Sequence, residues 1–274
     1  MFNAQDFFSV QDFAYRSLLI PDEPVWTALD RLQDFFSDFF KNSHPLSAFT
    51  GMVEKPLVIH NGEVRTDAEV RPAGAKGSVQ AFSNGELLDG AAVIMPGAYL
   101  FDDRIAVGAG SVVEPGALLK GPVVIGKNSE IRQGAYIRGD CIVGDGCVVG
   151  HTTEMKSSIM LNGAKAGHFA YIGDSILGKD VNLGAGTKLA NLKVIPGSII
   201  LIVNKKRHNT GRRKLGAILG DETETGCNSV TSPGTLMGPR SIVYPCVCVP
   251  GGYYPKRTLI VPAKDSLRIN SPHS

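Results

Sequence analysis

Aliphatic residues recur at every sixth position through Met95, Phe101, Val107, Val113, Leu119, Ile125, Ile131, Ile137, Val143, Val149 and Met155. Four residues after Val107, and again in each hexad up to Val149, comes a small or medium residue: Ser111, Ala117, Val123, Ser129, Ala135, Cys141, Cys147 and Thr153. A strand alternates its sides, so this residue and the aliphatic one two positions later point the same way. Both are expected to face inward on short strands joined by tight corners. Gly often follows the aliphatic residue, as in Val107-Gly108, Ile125-Gly126 and Val143-Gly144. The pattern continues, with two five-residue steps, through Met160, Ala166, Ile172, Leu177, Leu183 and Leu189, and resumes at Leu219, Thr225, Thr231, Met237, Val243 and Val249. Periodicity sustained this long predicts an all-β chain, a parallel β-helix with three hexads per triangular coil.

The first residues follow another rule. Val25, Ala28, Leu29, Leu32, Phe36, Phe39 and Phe40 have helical spacing, with Asp22 and Pro24 as start signals and Asp30, Gln33, Asp34 and Asp38 on the opposite face. This predicts a helical N-terminal element over residues 1–52 that packs on the rest of the chain or on a neighbouring subunit. The β-helix is expected over 53–262, irregular near Val58, Val64 and Val70, with a tail at 263–274. A hairpin insertion is expected at about 192–213, where an apolar run from Ser198 to Val203 precedes the basic Lys205-Lys206-Arg207 and Arg212-Arg213-Lys214. A solvated basic turn and a phosphate-binding arm are both open readings of it.

Composition narrows the class. The chain has 274 residues with a formal net charge of +2, too small to argue for nucleic acid. Its 32 glycines recur at fixed spacing, which points to an ordered repeat rather than disorder. Neither a signal peptide nor a run of eighteen apolar residues is visible, so a cytoplasmic setting with free thiols is expected. Cys141 and Cys147 fall at the small inward position and read as core. Cys227, Cys246 and Cys248 have no metal-ligand spacing.

Three hexads separate equivalent positions on adjacent coils, about 4.8 Å apart. Arg138 is then expected beside Lys156, Glu154 beside Tyr171, His151 beside His168 and Asn191 beside Asp174, with Asn182 near this corner one face further on. Two stacked exposed cations repel by roughly 3 kcal/mol at an effective dielectric near 20. An anion between Arg138 and Lys156 would reverse the sign.

The run VGHTTEMKSSIMLNGAKAGHFAYIGDSILGKDVNLGAGTK, from Val149 to Lys188, resembles the acetyltransferase domain of the bifunctional glucosamine-1-phosphate acetyltransferase and N-acetylglucosamine-1-phosphate uridylyltransferase family. Thr210 to Asp221 resembles the archaeal-type branch, and the likeness spans roughly residues 90–262. The resemblance implies a left-handed β-helix and transfer of acetyl from acetyl-CoA to an amino sugar 1-phosphate such as glucosamine 1-phosphate, without a metal. It also implies a homotrimer with sites between subunits. It implies that His168 is the general base and Glu154 belongs with it in the catalytic set. Arg138 and Lys156 match phosphate-binding positions, Tyr171, Asn182 and Asn191 match positions that hold the sugar, and Lys214 matches a lysine that completes the site. Ala185, Cys227 and Pro245 fall where the family contacts CoA. Imidazole suits removal of an amine proton near neutral pH, with His151 expected to disfavour the imidazolium and corner N–H groups to hold the oxyanion.

The chain departs from the family in its first ninety residues, which have no glycine-rich nucleotide loop, so use of UTP is not expected. Two rivals stand beside the transferase. One is a binding or assembly protein that keeps the fold without catalysis. The other is a zinc carbonic anhydrase-like enzyme built on His151 and His168, for which Ala185 stands where a third ligand would be needed.

Overall fold

In the computed structural model, which describes residues 2–263 apart from 43, 75–77 and 204, the hexads form a parallel β-solenoid of about 9 turns. The part of the expected tail at 264–274 lies outside the described residues. The first face is an eleven-stranded sheet that includes Val148–His151, Lys165–His168 and Asn182–Leu183. The second is nine-stranded and includes Tyr136–Arg138, Glu154–Lys156 and Tyr171–Gly173. The third is eight-stranded and includes Val123–Ile125, Cys141–Val143 and Ser158–Met160. Both inward positions are filled as the hexads require. Leu119, Ile131, Ile137, Val149 and Met155 are buried together with Ala117, Ala135, Cys141 and Cys147. The small polar residues Ser111, Ser129 and Thr153 are also buried, and their hydroxyls bond to backbone carbonyls across the coils.

The earliest coil corrects the hexad register. Leu100, not Phe101, pairs with Leu119, and Ile94, not Met95, pairs with Val113. Leu100 is 1% exposed and Phe101 is 58% exposed. By Ile105, which pairs with Val123, the eighteen-residue spacing is restored. The extra residue is absorbed in the corner at Asp102–Arg104, where the Asp102 carboxylate accepts from its own loop at Arg104 N (2.9 Å) and from the Arg104 guanidinium (3.0 and 3.1 Å).

Residues 53–91 also differ from the expected coils. Leu57–His60 runs antiparallel to Ala92–Ile94 and to Glu63–Arg65, while Glu69–Pro72, Val79–Ser83 and Glu86–Leu87 form a separate antiparallel sheet. Leu57–His60 thereby pairs with the free edge of Ala92–Ile94, which would otherwise expose unpaired backbone groups. Regular coils begin at Ala92.

The N-terminal element holds a 3-10 helix at Val25–Leu29 and an α-helix at Leu32–Phe39. It packs on this chain's own third face. There the outward positions Val124, Ile142, Ile159, Ile176, Ile218 and Leu236 form an aliphatic ladder, buried in one cluster with Phe7, Trp26, Leu32 and Phe36. The insertion is a hairpin, Ile200–Val203 against Lys206–Asn209, whose base is closed by a bridge between Leu192 and Lys214. It does not stand free of the prism: Ile199 and Leu201 are buried in that same cluster.

Candidate active site

Backbone register places His151 beside His168 on the first face, at the corner that leads to the second. Lys165 pairs with Asn182 and Ala166 with Leu183, so the next residue in this column is Ala185. Asn182 pairs with Glu224 and Glu224 with Ile242, which continues the column through Cys227 to Pro245. The three expected donor-side residues therefore lie on one edge, directly above His168. Asn182 does not join them: it sits level with Lys165, at the other end of His168's own face rather than one face further on.

His168 is exposed, and its ring makes no hydrogen bond or ion pair among the described residues. A third ring shares this corner with the two histidines. Phe169 lies 5.3 Å from the His151 ring, edge-on, and 6.2 Å from the His168 ring. The His151 Nδ1 pairs with the Gln133 carbonyl at 2.9 Å. Phe169 is 54% exposed and has a φ of 53°, in the left-handed region where a bulky residue is unusual. It shares its corner position with Gly134, Thr152 and Gly186 of the neighbouring coils, so coil spacing marks the position but not its aromatic ring.

The second face carries the other polar groups. Glu154 pairs with Tyr171, and Arg138 adjoins Lys156 because Ile137 pairs with Met155. The two cations are not left to repel each other. Arg138 Nη1 donates to Glu154 Oε1 at 2.5 Å, and Lys156 Nζ donates to Asp174 Oδ2 at 3.0 Å. The protein itself supplies the anions that the stacking argument assigned to a ligand. Glu154 thereby faces Arg138, with no hydrogen bond or ion pair to His168 among the described residues.

Asp174 is the hub of this corner. Its Oδ2 also accepts from Asn191 Nδ2 at 2.5 Å, and its Oδ1 lies 3.8 Å from Arg212 Nη2. Arg212, at the hairpin's base, also pairs with Asp30 of the N-terminal element. The Tyr171 hydroxyl reaches Asn191 Oδ1 at 3.4 Å, and burial pushes its pKa up. Both side chains cross over Gly173, where an added Cβ would come within 2.7 Å of the Tyr171 hydroxyl and 2.8 Å of Asn191 Nδ2. Lys214 is exposed beside this corner, and the next residue's N–H bonds to the Asn191 carbonyl at 3.0 Å. Arg212 and Asp174 were absent from the sequence-derived site. Asp174 has a signal, its coil spacing from Asn191, whereas the link from Asp30 through Arg212 has none.

The cysteines divide as the hexads require. Cys141 and Cys147 are buried, and desolvation pushes both thiols up to about 12. Cys227, Cys246 and Cys248 are exposed. Because the thiolate is the nucleophile, iodoacetamide at pH 8 should label those three and spare the two core thiols until the protein is denatured. Mass spectrometry of the intact chain checks this, and rapid labelling of Cys141 in the native protein would contradict the burial.

The structure thus combines a hexapeptide solenoid with a histidine at one corner and a polar second face. Residues 119–253 match the family described as the GMPPB C-terminal domain. About a third of the chain is similar to the C-terminal acetyltransferase region of GlmU-type bifunctional sugar-1-phosphate nucleotidyltransferase/acetyltransferases. The "Bifunctional sugar-1-phosphate nucleotidylyltransferase/acetyltransferase" of Sulfurisphaera tokodaii is 41% identical over 97 residues, 35% of this chain and 24% of that one. The "Bifunctional protein GlmU" of Methanocaldococcus jannaschii is 38% identical over 90 residues, 33% and 22% respectively. The chain thus matches about a quarter of the length of these curated relatives. Among solved structures, a putative acetyltransferase from Desulfovibrio desulfuricans G20 has 19% identity and a TM-score of 0.27, covering 52% of this chain and 25% of that one. The polySia-specific acetyltransferase NeuO has 18% identity and a TM-score of 0.28, covering 63% and 88%. No helix among the described residues is long and apolar enough to cross a membrane.

Proposed function

We propose that this chain transfers acetyl from acetyl-CoA to the amine of an amino sugar 1-phosphate such as glucosamine 1-phosphate, in the cytoplasm and as a homotrimer. The observation that carries the reading is the single column on which His168, Ala185, Cys227 and Pro245 lie, beside a second face bearing Arg138, Lys156 and Tyr171. A thioester laid along that edge reaches His168 from above, and a sugar phosphate on the second face reaches it from the side.

In this reading His168 accepts a proton from the substrate amine while the nitrogen bonds to the thioester carbonyl carbon. The carbon–sulfur bond breaks, and the proton passes from the imidazolium to the departing thiolate. The corner offers few free donors for the developing oxyanion, because Gly186 N–H bonds to the His168 carbonyl and Asn228 N–H to the Ala185 carbonyl, at 2.9 and 2.8 Å. The Ala185 N–H, one coil above His168, has no such bond among the described residues and is the donor assigned to that charge. The phosphate takes Arg138 from Glu154. Both partners are partly exposed, with side chains 42% and 34% accessible, and such pairs contribute only about 0–1 kcal/mol. Lys156 stays on Asp174 and contributes through its N–H donors.

The test is thiol release from acetyl-CoA across a panel of amino sugar 1-phosphates, with acetylated product identified by mass spectrometry. Turnover with at least one member is expected. No turnover, together with no calorimetric binding of acetyl-CoA, would leave the non-catalytic binding protein as the reading.

A further inference from the structure

The cation column is longer than the two residues that its sequence spacing first suggested. Lys120 pairs with Arg138 in the second-face register, so Lys120, Arg138 and Lys156 rise in steps of about 4.8 Å. Lys156 is held by Asp174 and Arg138 by Glu154, whereas exposed Lys120 pairs with no carboxylate among the described residues. Its ammonium instead lies 5.3 Å from the centre of the Phe101 ring. That ring faces out because of the extra residue in the first coil, and it is 58% exposed. The Tyr99 ring is 6.2 Å from it. Tyr136 lies on the outward column of Tyr99, two coils above it, with the Arg138 guanidinium carbon 5.8 Å from its ring centre. The nearby Asp102 carboxylate is turned onto Arg104 rather than Lys120.

A single phosphate held by two of these cations leaves the third without a role. A diphosphate uses Arg138 and Lys120 together and adds the negative charge that an unpaired lysine lacks. Beyond Lys120 the face then offers bare aromatic rings, the surface on which a nucleobase stacks. From the level of Tyr171 down to that of Tyr99 is four coil steps, about 19 Å. This is the reach of an extended nucleotide sugar rather than of a monosaccharide phosphate.

We infer that the acceptor of this site is a nucleoside diphosphate amino sugar, with its diphosphate on Arg138 and Lys120 and its base on the shelf of Phe101 and Tyr99. This rests on the transferase reading above, since it takes the anomeric phosphate proposed there as the first of two.

The test compares kcat/KM for UDP-glucosamine and glucosamine 1-phosphate in the full chain and in its Lys120→Met and Phe101→Ala variants. Stacking tolerates any base, so uridine is an adequate probe. The unaltered chain should prefer the nucleotide sugar, and each substitution should lower the ratio of the two constants about tenfold or more. Preference for glucosamine 1-phosphate, or a ratio unmoved by both substitutions, overturns the inference. Melting temperatures should match the parent's, because both side chains are exposed. Calorimetry with UDP alone separates the two readings. UDP binding weakened by both substitutions, without acetyl transfer to any acceptor, keeps the nucleotide subsite and removes the transferase. Acetylation of glucosamine 1-phosphate with no UDP binding does the reverse.

Discussion

Replacing His168 with alanine should lower kcat for acetyl transfer by about 10²- to 10⁴-fold, the usual contribution of a positioned general base. The ring is exposed, makes no hydrogen bond or ion pair among the described residues and touches only the half-exposed Phe169 ring among aromatic neighbours, so the melting temperature should stay put. KM for the sugar phosphate should change little, because the proposed reading puts phosphate recognition on the second face. A fall in kcat and kcat/KM by the same factor is the pattern of an interaction made only in the transition state. Initial-rate measurement with both substrates varied checks it. A variant turning over at the parent's rate would remove the imidazole from the mechanism and leave the column of His151, His168 and Ala185 without a chemical role.

The solenoid was legible because inward residues obey a rule that side-chain volume enforces. Ile137, Val143 and Val149 sit six apart since each corner must bring the next strand around the same core. From that register the pairings Glu154 with Tyr171 and His151 with His168 follow by counting. The count fails where a corner holds an extra residue, which is why Phe101 reads as core and is a surface ring. Side-chain partners are less legible than register, because a column of cations says nothing about which carboxylates reach it. Glu154 comes from the coil above Arg138 and Asp174 from the coil above Lys156, and both were placed by the count without being recognised as counter-charges. Lys120 obeys the same spacing as Arg138 and Lys156, so sequence carried its signal. The contact of Arg212 with Asp30 joins segments far apart in the chain, and no spacing rule reaches it.

Replacing Phe36 with alanine should cost about 3–5 kcal/mol of stability, the range for emptying an aromatic site in a packed core. The spacing that marked its helix as amphipathic left open what the apolar face covers. The covered surface is the outward ladder of the third face, Val124, Ile142, Ile159, Ile176, Ile218 and Leu236. Such a ladder has no counterpart on the second face, where none of the outward residues Tyr136, Arg138, Glu154, Lys156, Tyr171, Gly173 and Lys188 is aliphatic. A β-solenoid can leave polar outward positions in water, but a continuous aliphatic stripe is a site for association unless something lies on it. Phe36 is 2% exposed, and its ring centre lies 5.2 Å from Phe35 and 6.3 Å from Phe40, so its removal opens space inside the seal. Asp34, on the exposed side of the same helix, should tolerate alanine within about 0.5 kcal/mol. Urea titration of both variants measures the difference. Equal midpoints for the two would mean that the helix contributes nothing to holding the third face closed, and the ladder beneath it would need another cover.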